Sequence, residues 1–129
     1  MKHLHFDVEP NGFYGAYWAC EGANCAVIAM IGDDPEDRLA RSAAKWLGAR
    51  GVNILTMSPA KKDYGHHNYP LERIEAAISW LKANGNHKIG IAGASTTGTL
   101  ALTAAAMFPD ITLTIALTPS DFVWQGFQQ

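Results

Sequence analysis

Residues 88–108, KIGIAGASTTGTLALTAAAMF, constrain the fold of this chain more than any other stretch. A short apolar run, Lys88 to Ala92, meets a turn of small residues, Gly93-Ala94-Ser95-Thr96-Thr97-Gly98. The turn passes without a spacer into an Ala- and Leu-rich helical run. A continuous apolar run of this length is the mark of a strand covered on both faces, and a strand that turns at once into a helix is half of a βαβ unit. A chain built around such a segment is committed to an α/β architecture.

The flanking sequence repeats the theme. His3 to Val8 alternates polar and apolar residues, and Phe13 to Cys20 is an aromatic-rich run after the turn signal Pro10-Asn11-Gly12; both read as strands. Ala26 to Ile31 is a continuous apolar strand. Gly32-Asp33-Asp34-Pro35-Glu36-Asp37 carries helix-start signals, an Asp N-cap with Pro at N1 and acids in the first turn. Leu39, Ala40, Ala43, Trp46 and Leu47 then recur at helical spacing, and Gly48 and Gly51 end the helix. Val52 to Met57 is the next strand, and Ser58 to Tyr69 a long polar loop of the kind that is often functional. Pro70 starts a helix with Leu71, Ile74, Ile78 and Leu81 on one face, ending at Asn84-Gly85. After the 88–108 unit, Pro109-Asp110 breaks the chain and Ile111 to Leu117 is a last strand. Two strands followed by β-α-β-α-β-α-β predict a three-layer αβα domain with a mostly parallel sheet. Residues 1–129 read as a single, partial domain that stops after the strand following the 96–108 helix. Ending there exposes a sheet edge and apolar surface, which predicts self-association or pairing with a partner.

Composition narrows the partners. The chain is 48% hydrophobic and 17% charged with a net charge of −2, as in a globular protein, and it has no basic block to meet nucleic acid or a membrane surface. The start, MKHLHFDVEP, lacks the apolar core of a secretory leader, and no apolar run reaches the ~18 residues of a membrane span. Cys20 and Cys25 are the only cysteines and read as reduced thiols, so a cytoplasmic location is expected.

Three kinds of chemistry compete for the turn at 93–98. A plain small-residue βα turn needs no function. A phosphate loop requires a Lys after the second Gly, and Gly98 is followed by Thr99; a dinucleotide fingerprint is not met from Gly90 or Gly93. The third is a nucleophile elbow, in which a tight turn lifts a serine oxygen above the carboxyl edge of the sheet. Acyl transfer needs that nucleophile beside backbone N–H groups that hold an oxyanion. Ser95 is then the nucleophile, the N–H of Thr96 one donor, and the loop Gly32-Asp33-Asp34 the source of the second, with Asp33 the chosen residue.

The surrounding sequence favours the elbow. Residues 69–81 (YPLERIEAAISWL), 89–95 (IGIAGAS), Leu100-Ala101-Leu102, Phe108-Pro109-Asp110-Ile111 and 118–126 (TPSDFVWQG) resemble the C-terminal catalytic domain of the acyl-CoA thioesterase / bile acid-CoA:amino acid N-acyltransferase family. The part before residue 69 resembles, more loosely, the start of a dienelactone hydrolase. The resemblance implies an α/β-hydrolase acting on acyl thioesters or esters through an acyl-enzyme on Ser95, without metal or cofactor. The second elbow glycine of that family is Thr97 here, with the glycine displaced to Gly98.

In that fold the triad runs serine, acid, histidine, yet no histidine follows Ser95. The resemblance therefore covers the N-terminal portion of such an enzyme, and the isolated chain is expected to turn over little substrate. Asp121 reads as a polar loop residue rather than the acid. His66 and His67, near Asp63, read as solvated loop histidines without metal-ligand spacing. His87 belongs to the far end of the elbow strand, and His3 and His5 to an edge strand. Trp18, Trp46, Trp80 and Trp124 read as core or lid packing. The rival expectation is a non-catalytic α/β module that associates through its open edge.

Overall fold

A computed structural model describes residues 3–30, 34–58, 71–94 and 96–117. Six strands form one mixed sheet in the order β1-β2-β4-β3-β5-β6. They are β1 (His3–Phe6), β2 (Gly15–Trp18), β3 (Cys25–Met30), β4 (Asn53–Met57), β5 (Lys88–Ala94) and β6 (Ile111–Leu117). The last four run parallel, while β2 is antiparallel to both of its neighbours. The helices are the single turn α1 (Val8–Asn11), then α2 (Arg38–Gly48), α3 (Leu71–Ala83) and α4 (Thr96–Met107).

The apolar runs become the buried parallel strands because both faces are covered. On one face Ile28, Met30, Leu55, Met57, Ile89 and Ile91 meet Ile74, Ala77, Ile78 and Leu81 of α3 and Ala101 and Ala104 of α4. The opposite face is thinner: Ala16, Trp18, Ala29 and Ile54 meet Ala44 of α2, with Leu47 and Val52 packed alongside. Two helices on one side and one on the other give the three layers expected.

Three local readings change. The first strand stops at Phe6, and Val8–Asn11 turns helical; the Asn11 side chain accepts the Asp7 N–H at 3.0 Å, and Gly12 closes the turn at φ +89°. Helix α2 starts later than the Pro35 signal, with Asp37 as the N-cap accepting the Ala40 N–H at 2.8 Å. Asp34 folds the preceding residues into a side-chain turn, its Oδ1 accepting the Glu36 N–H at 2.9 Å, and Thr56 Oγ donates to the Pro35 carbonyl at 2.6 Å. Finally, α2 meets the sheet through Ala40 and Ala44, leaving Leu39 and Trp46 at 55% and 59% exposure. Over Trp18 the helix contributes Ala44, with Leu47 packed alongside. Trp46 instead lies under the Arg50 guanidinium, 3.7 Å from its ring centroid.

At the amino end of the parallel strands, Asn53 and Asn86 form a buried polar peg. Asn53 accepts the Cys20 N–H at 2.6 Å and donates to Asn86 at 2.9 Å, and Asn86 donates to the Leu81 carbonyl at 3.1 Å. Buried amides are tolerated when their donors and acceptors are partnered in this way.

Between β5 and β6 the ladder pairs Ile89 with Ile111 but Gly90 with Leu113, so the strand slips by one residue. The slip moves Leu113 and Ile115 to the face opposite Ile111. Helix α2 packs over β4 and does not reach that far. Leu113 and Ile115 are consequently 57% and 38% exposed.

Candidate active site

Crossovers leave β3 toward β4 and arrive at β5 from the other side, so the sheet has its topological switch point between β3 and β5. In open α/β sheets the crevice outside the carboxyl ends of the two strands at such a point is where ligands bind. Strands β3 and β5 are hydrogen-bonded neighbours, and their ladder runs in register from Cys25↔Lys88 to Met30↔Gly93. The two sequence-derived groups follow those two strands: Asp33 lies three residues after Met30, and Ser95 two after Gly93. Both residues are outside the described residues, as are Asp63, His66, His67, Asp121 and Trp124.

What surrounds them is described. Strand β5 closes at Ala94 and α4 opens at Thr96, so position 95 is the single residue between strand and helix. Thr96 is the first residue of α4, where a backbone N–H has no partner within the helix and carries the positive end of the helix dipole.

On the other side of the crevice, the turn after β3 is tied down from within. The Asp34 N–H donates to Asp37 Oδ2 at 3.2 Å, the Glu36 N–H to Asp34 Oδ1, and the Asp37 N–H to the Asp34 carbonyl at 3.1 Å. Pro35 has no N–H. Every amide of residues 34–37 is thus either missing or committed to the turn itself. Of the loop Gly32–Asp34, Asp34 therefore has its N–H committed to Asp37, and the chosen Asp33 lies outside the described residues.

The remaining histidines stand apart. The His87 N–H donates to the Asn24 carbonyl at 2.8 Å, before the first residue of β5. The seven residues of β5 put that end roughly 20 Å from the carboxyl edge. His3 and His5 lie on β1, four strand spacings or roughly 19 Å from β5. Neither position can deliver a base to Ser95.

Sequence reasoning missed one group here, Tyr14. It is 8% exposed and donates to Asp34 Oδ2 at 3.4 Å. Burial, and then the negative charges of Asp34, Glu36 and Asp7, push its hydroxyl above the usual tyrosine range. The only signal is its place in an aromatic run, directly before the first residue of β2. Among the described residues, no three His, Cys, Asp or Glu side chains are grouped to hold a metal ion. Nor is any described helix long and apolar enough to cross a membrane.

No protein-family model and no curated protein matches this chain. Its fold is nevertheless that of solved α/β-hydrolases. It is similar to the α/β-hydrolase GrgF from a Penicillium species, with a TM-score of 0.70 and 24% identity over 89% of this chain. It is also similar to the Pyrococcus furiosus esterase Pf2001, with a TM-score of 0.68 and 20% identity over 92% of the chain. A cold-adapted esterase from an Arctic intertidal metagenomic library follows at 0.66 and 18% over 89%. The chain spans 44%, 49% and 58% of the lengths of these three proteins, about half.

Proposed function

We propose that this chain carries the nucleophile of a serine hydrolase acting on acyl thioesters or esters, of the acyl-CoA thioesterase or acyltransferase type. The observation that carries the reading is the handover from β5 to α4 across the single position 95, beside the switch point of an α/β-hydrolase-type sheet. Ser95 Oγ attacks the acyl carbonyl carbon, and the carbonyl π pair moves onto oxygen. The resulting oxyanion is held by the Thr96 N–H from the helix side and the Asp33 N–H from the β3 side. Collapse expels a thiolate or alkoxide and leaves the acyl group on Ser95, from which water or an amine removes it. A base must accept the Oγ proton and pass it to the leaving group. That histidine and its acid come from a segment outside residues 1–129 or from another chain, and without them the serine hydroxyl stays largely un-ionised.

A fluorophosphonate probe tests this, with the labelled peptide mapped by mass spectrometry. It is applied to the 129-residue chain and to the product of its whole reading frame. Labelling of Ser95 in the longer product, abolished by Ser95→Ala, supports the reading. An unlabelled Ser95 in a product that does carry a downstream acid and histidine overturns it.

A second reading is favoured by β6. Its sequence ITLTIAL bears no charge and no proline to discourage edge pairing, and its own Leu113 and Ile115 are exposed. In this reading the chain is a non-catalytic module that pairs with a second copy along β6. Sedimentation over a hundredfold concentration range separates the two: a strictly monomeric chain sinks the module, and a dimer lost in Leu113→Lys supports it.

A further inference from the structure

Two Asn-Gly pairs serve the fold as turns, Asn11-Gly12 closing α1 and Asn84-Gly85 following α3, and all four residues are exposed. Glycine carries no side chain to shield its backbone nitrogen or to restrict how it turns. An asparagine placed before it therefore offers its side-chain amide carbon to that nitrogen. The two pairs differ in how firmly the fold holds them. The Gly12 N–H donates to the Val8 carbonyl at 2.8 Å, and Asn11 Oδ1 accepts the Asp7 N–H at 3.0 Å. Gly12 also lies against α3, where a Cβ on it would sit 3.1 Å from the Ala76 Cβ.

After α3 the hold is weaker. The Gly85 N–H reaches the Lys82 carbonyl only at 3.4 Å, long for such a bond, and nothing lies within 4 Å of a Cβ built on Gly85. The Asn84 side chain donates to the Trp80 carbonyl at 2.8 Å through Nδ2. That bond engages the nitrogen of the amide and leaves its carbon open to the neighbouring glycine.

We propose that Asn84 is a self-modifying site, at which the folded chain loses ammonia and converts to isoaspartate, while the fold protects Asn11. The Gly85 nitrogen bonds to Asn84 Cγ, the Cγ–Nδ2 bond breaks, and ammonia departs with the Gly85 proton. Water then opens the resulting succinimide, its hydroxyl going to a ring carbonyl and its hydrogen to the Gly85 nitrogen. Opening at the main-chain carbonyl leaves isoaspartate, whose backbone runs one bond longer through Cβ and Cγ. The product sets a carboxylate at the C-terminal end of α3, where the helix dipole is already negative. It also lengthens the chain two residues before Asn86, which is 1% exposed, donates to the Leu81 carbonyl at 3.1 Å and accepts from Asn53 at 2.9 Å. Conversion therefore loosens the polar peg at the amino end of the sheet.

Peptide mapping by mass spectrometry tests this on the whole chain, aged in mildly alkaline buffer beside a sample unfolded in urea. Replacement of NH₂ by OH is followed at each asparagine, and fragmentation tells isoaspartate from aspartate. In the folded chain Asn84 is expected to convert roughly fivefold or more faster than Asn11, the scale set by one hydrogen bond that must open first. In urea the two pairs convert at comparable rates, because each asparagine is followed by glycine. Equal conversion in the folded chain, or an Asn84 that stays intact there while it converts in urea, overturns the proposal. So does a preference that persists unchanged in urea, since the local sequence and not the fold would then choose the site. The effect on the peg has its own readout. The aged chain melts lower as isoaspartate accumulates, and lower than Asn84→Asp, which adds the charge without the extra bond; a chain melting no lower than that variant overturns the link to Asn86.

Discussion

Met30 and Gly93 are the last partners of the parallel ladder between β3 and β5. Neighbouring strands lie about 4.8 Å apart, so these two residues deliver the chain side by side to the carboxyl edge of the sheet. One strand continues toward Asp33 and the other toward Ser95. Positions separated by some sixty residues in sequence, those proposed for the oxyanion donor and the nucleophile, thus follow adjoining strand ends, at the switch point of the sheet.

If Ser95 is the nucleophile, Ser95→Ala in the complete enzyme lowers kcat for a thioester or ester by at least about 10³-fold, leaving a residual rate from the oxyanion donors. The melting temperature stays within a few degrees of wild type, because the change removes a single hydroxyl oxygen and alters neither backbone nor bulk. Steady-state kinetics with an acyl-CoA and a p-nitrophenyl ester, alongside a thermal melt, check both parts.

Gly15 is required by close approach of backbones. A Cβ on this residue sits 2.6 Å from the Thr56 carbonyl oxygen on the paired strand. Gly15→Ala therefore forces β2 away from β4 and destabilises the chain by about 1–3 kcal/mol, read from urea unfolding. The same change at Gly22, which has open space around it but φ +82°, acts only through the backbone and costs about 1 kcal/mol.

The two tryptophans of the α2 side make a contrast. Trp18 is fully buried, stacked on His3 and donating to Thr56 Oγ at 3.0 Å. Trp18→Ala is expected to cost about 3–5 kcal/mol. Trp46→Ala removes only an exposed ring and its Arg50 contact, about 0.5–1 kcal/mol. Paired denaturant curves decide whether the burial assigned to each is right.

Tyr14 makes the folded chain sensitive to alkali. Because burial and then the Asp34 charge raise its folded-state pKa, the stability it contributes is complete below the ordinary tyrosine range, ~10, and is lost as pH rises through the folded value. Melting temperatures above about pH 10 should fall less steeply in Tyr14→Phe than in wild type. Parallel curves would show that the hydroxyl is not protected.

Much of this architecture was legible before any coordinates. Strand β6 and helix α3 sit where the apolar periodicity puts them, because each is bounded by strong punctuation, Pro109-Asp110 for the one and Asn84-Gly85 for the other. The α2 start was misread because Asp34, Pro35 and Asp37 all carry cap signals, and only the Thr56 hydroxyl on the Pro35 carbonyl selects the later one. The face of α2 was misread for a related reason. Helical spacing names a stripe, but which part of it faces the sheet is set by packing: Ala40 and Ala44 are buried and Leu39 and Trp46 exposed.

For the candidate site the division is similar. The identity of Ser95 and its place between strand and helix are local properties, written in residues 88–108, since a strand that runs straight into a helix is a short-range event. The strand order is not local. That β5 lies against β3 rather than beside its predecessor β4 follows from right-handed crossovers and from which faces the helices cover. Only that arrangement puts the carboxyl ends of β3 and β5 side by side. The same packing removes Asp34 as a donor and draws His3 and His5 onto Glu36. The sequence by itself determined the order of strands and helices and the candidate at position 95, and the tertiary structure decided which residues meet, because hydrogen-bond partners across a sheet are chosen by topology and not by spacing along the chain.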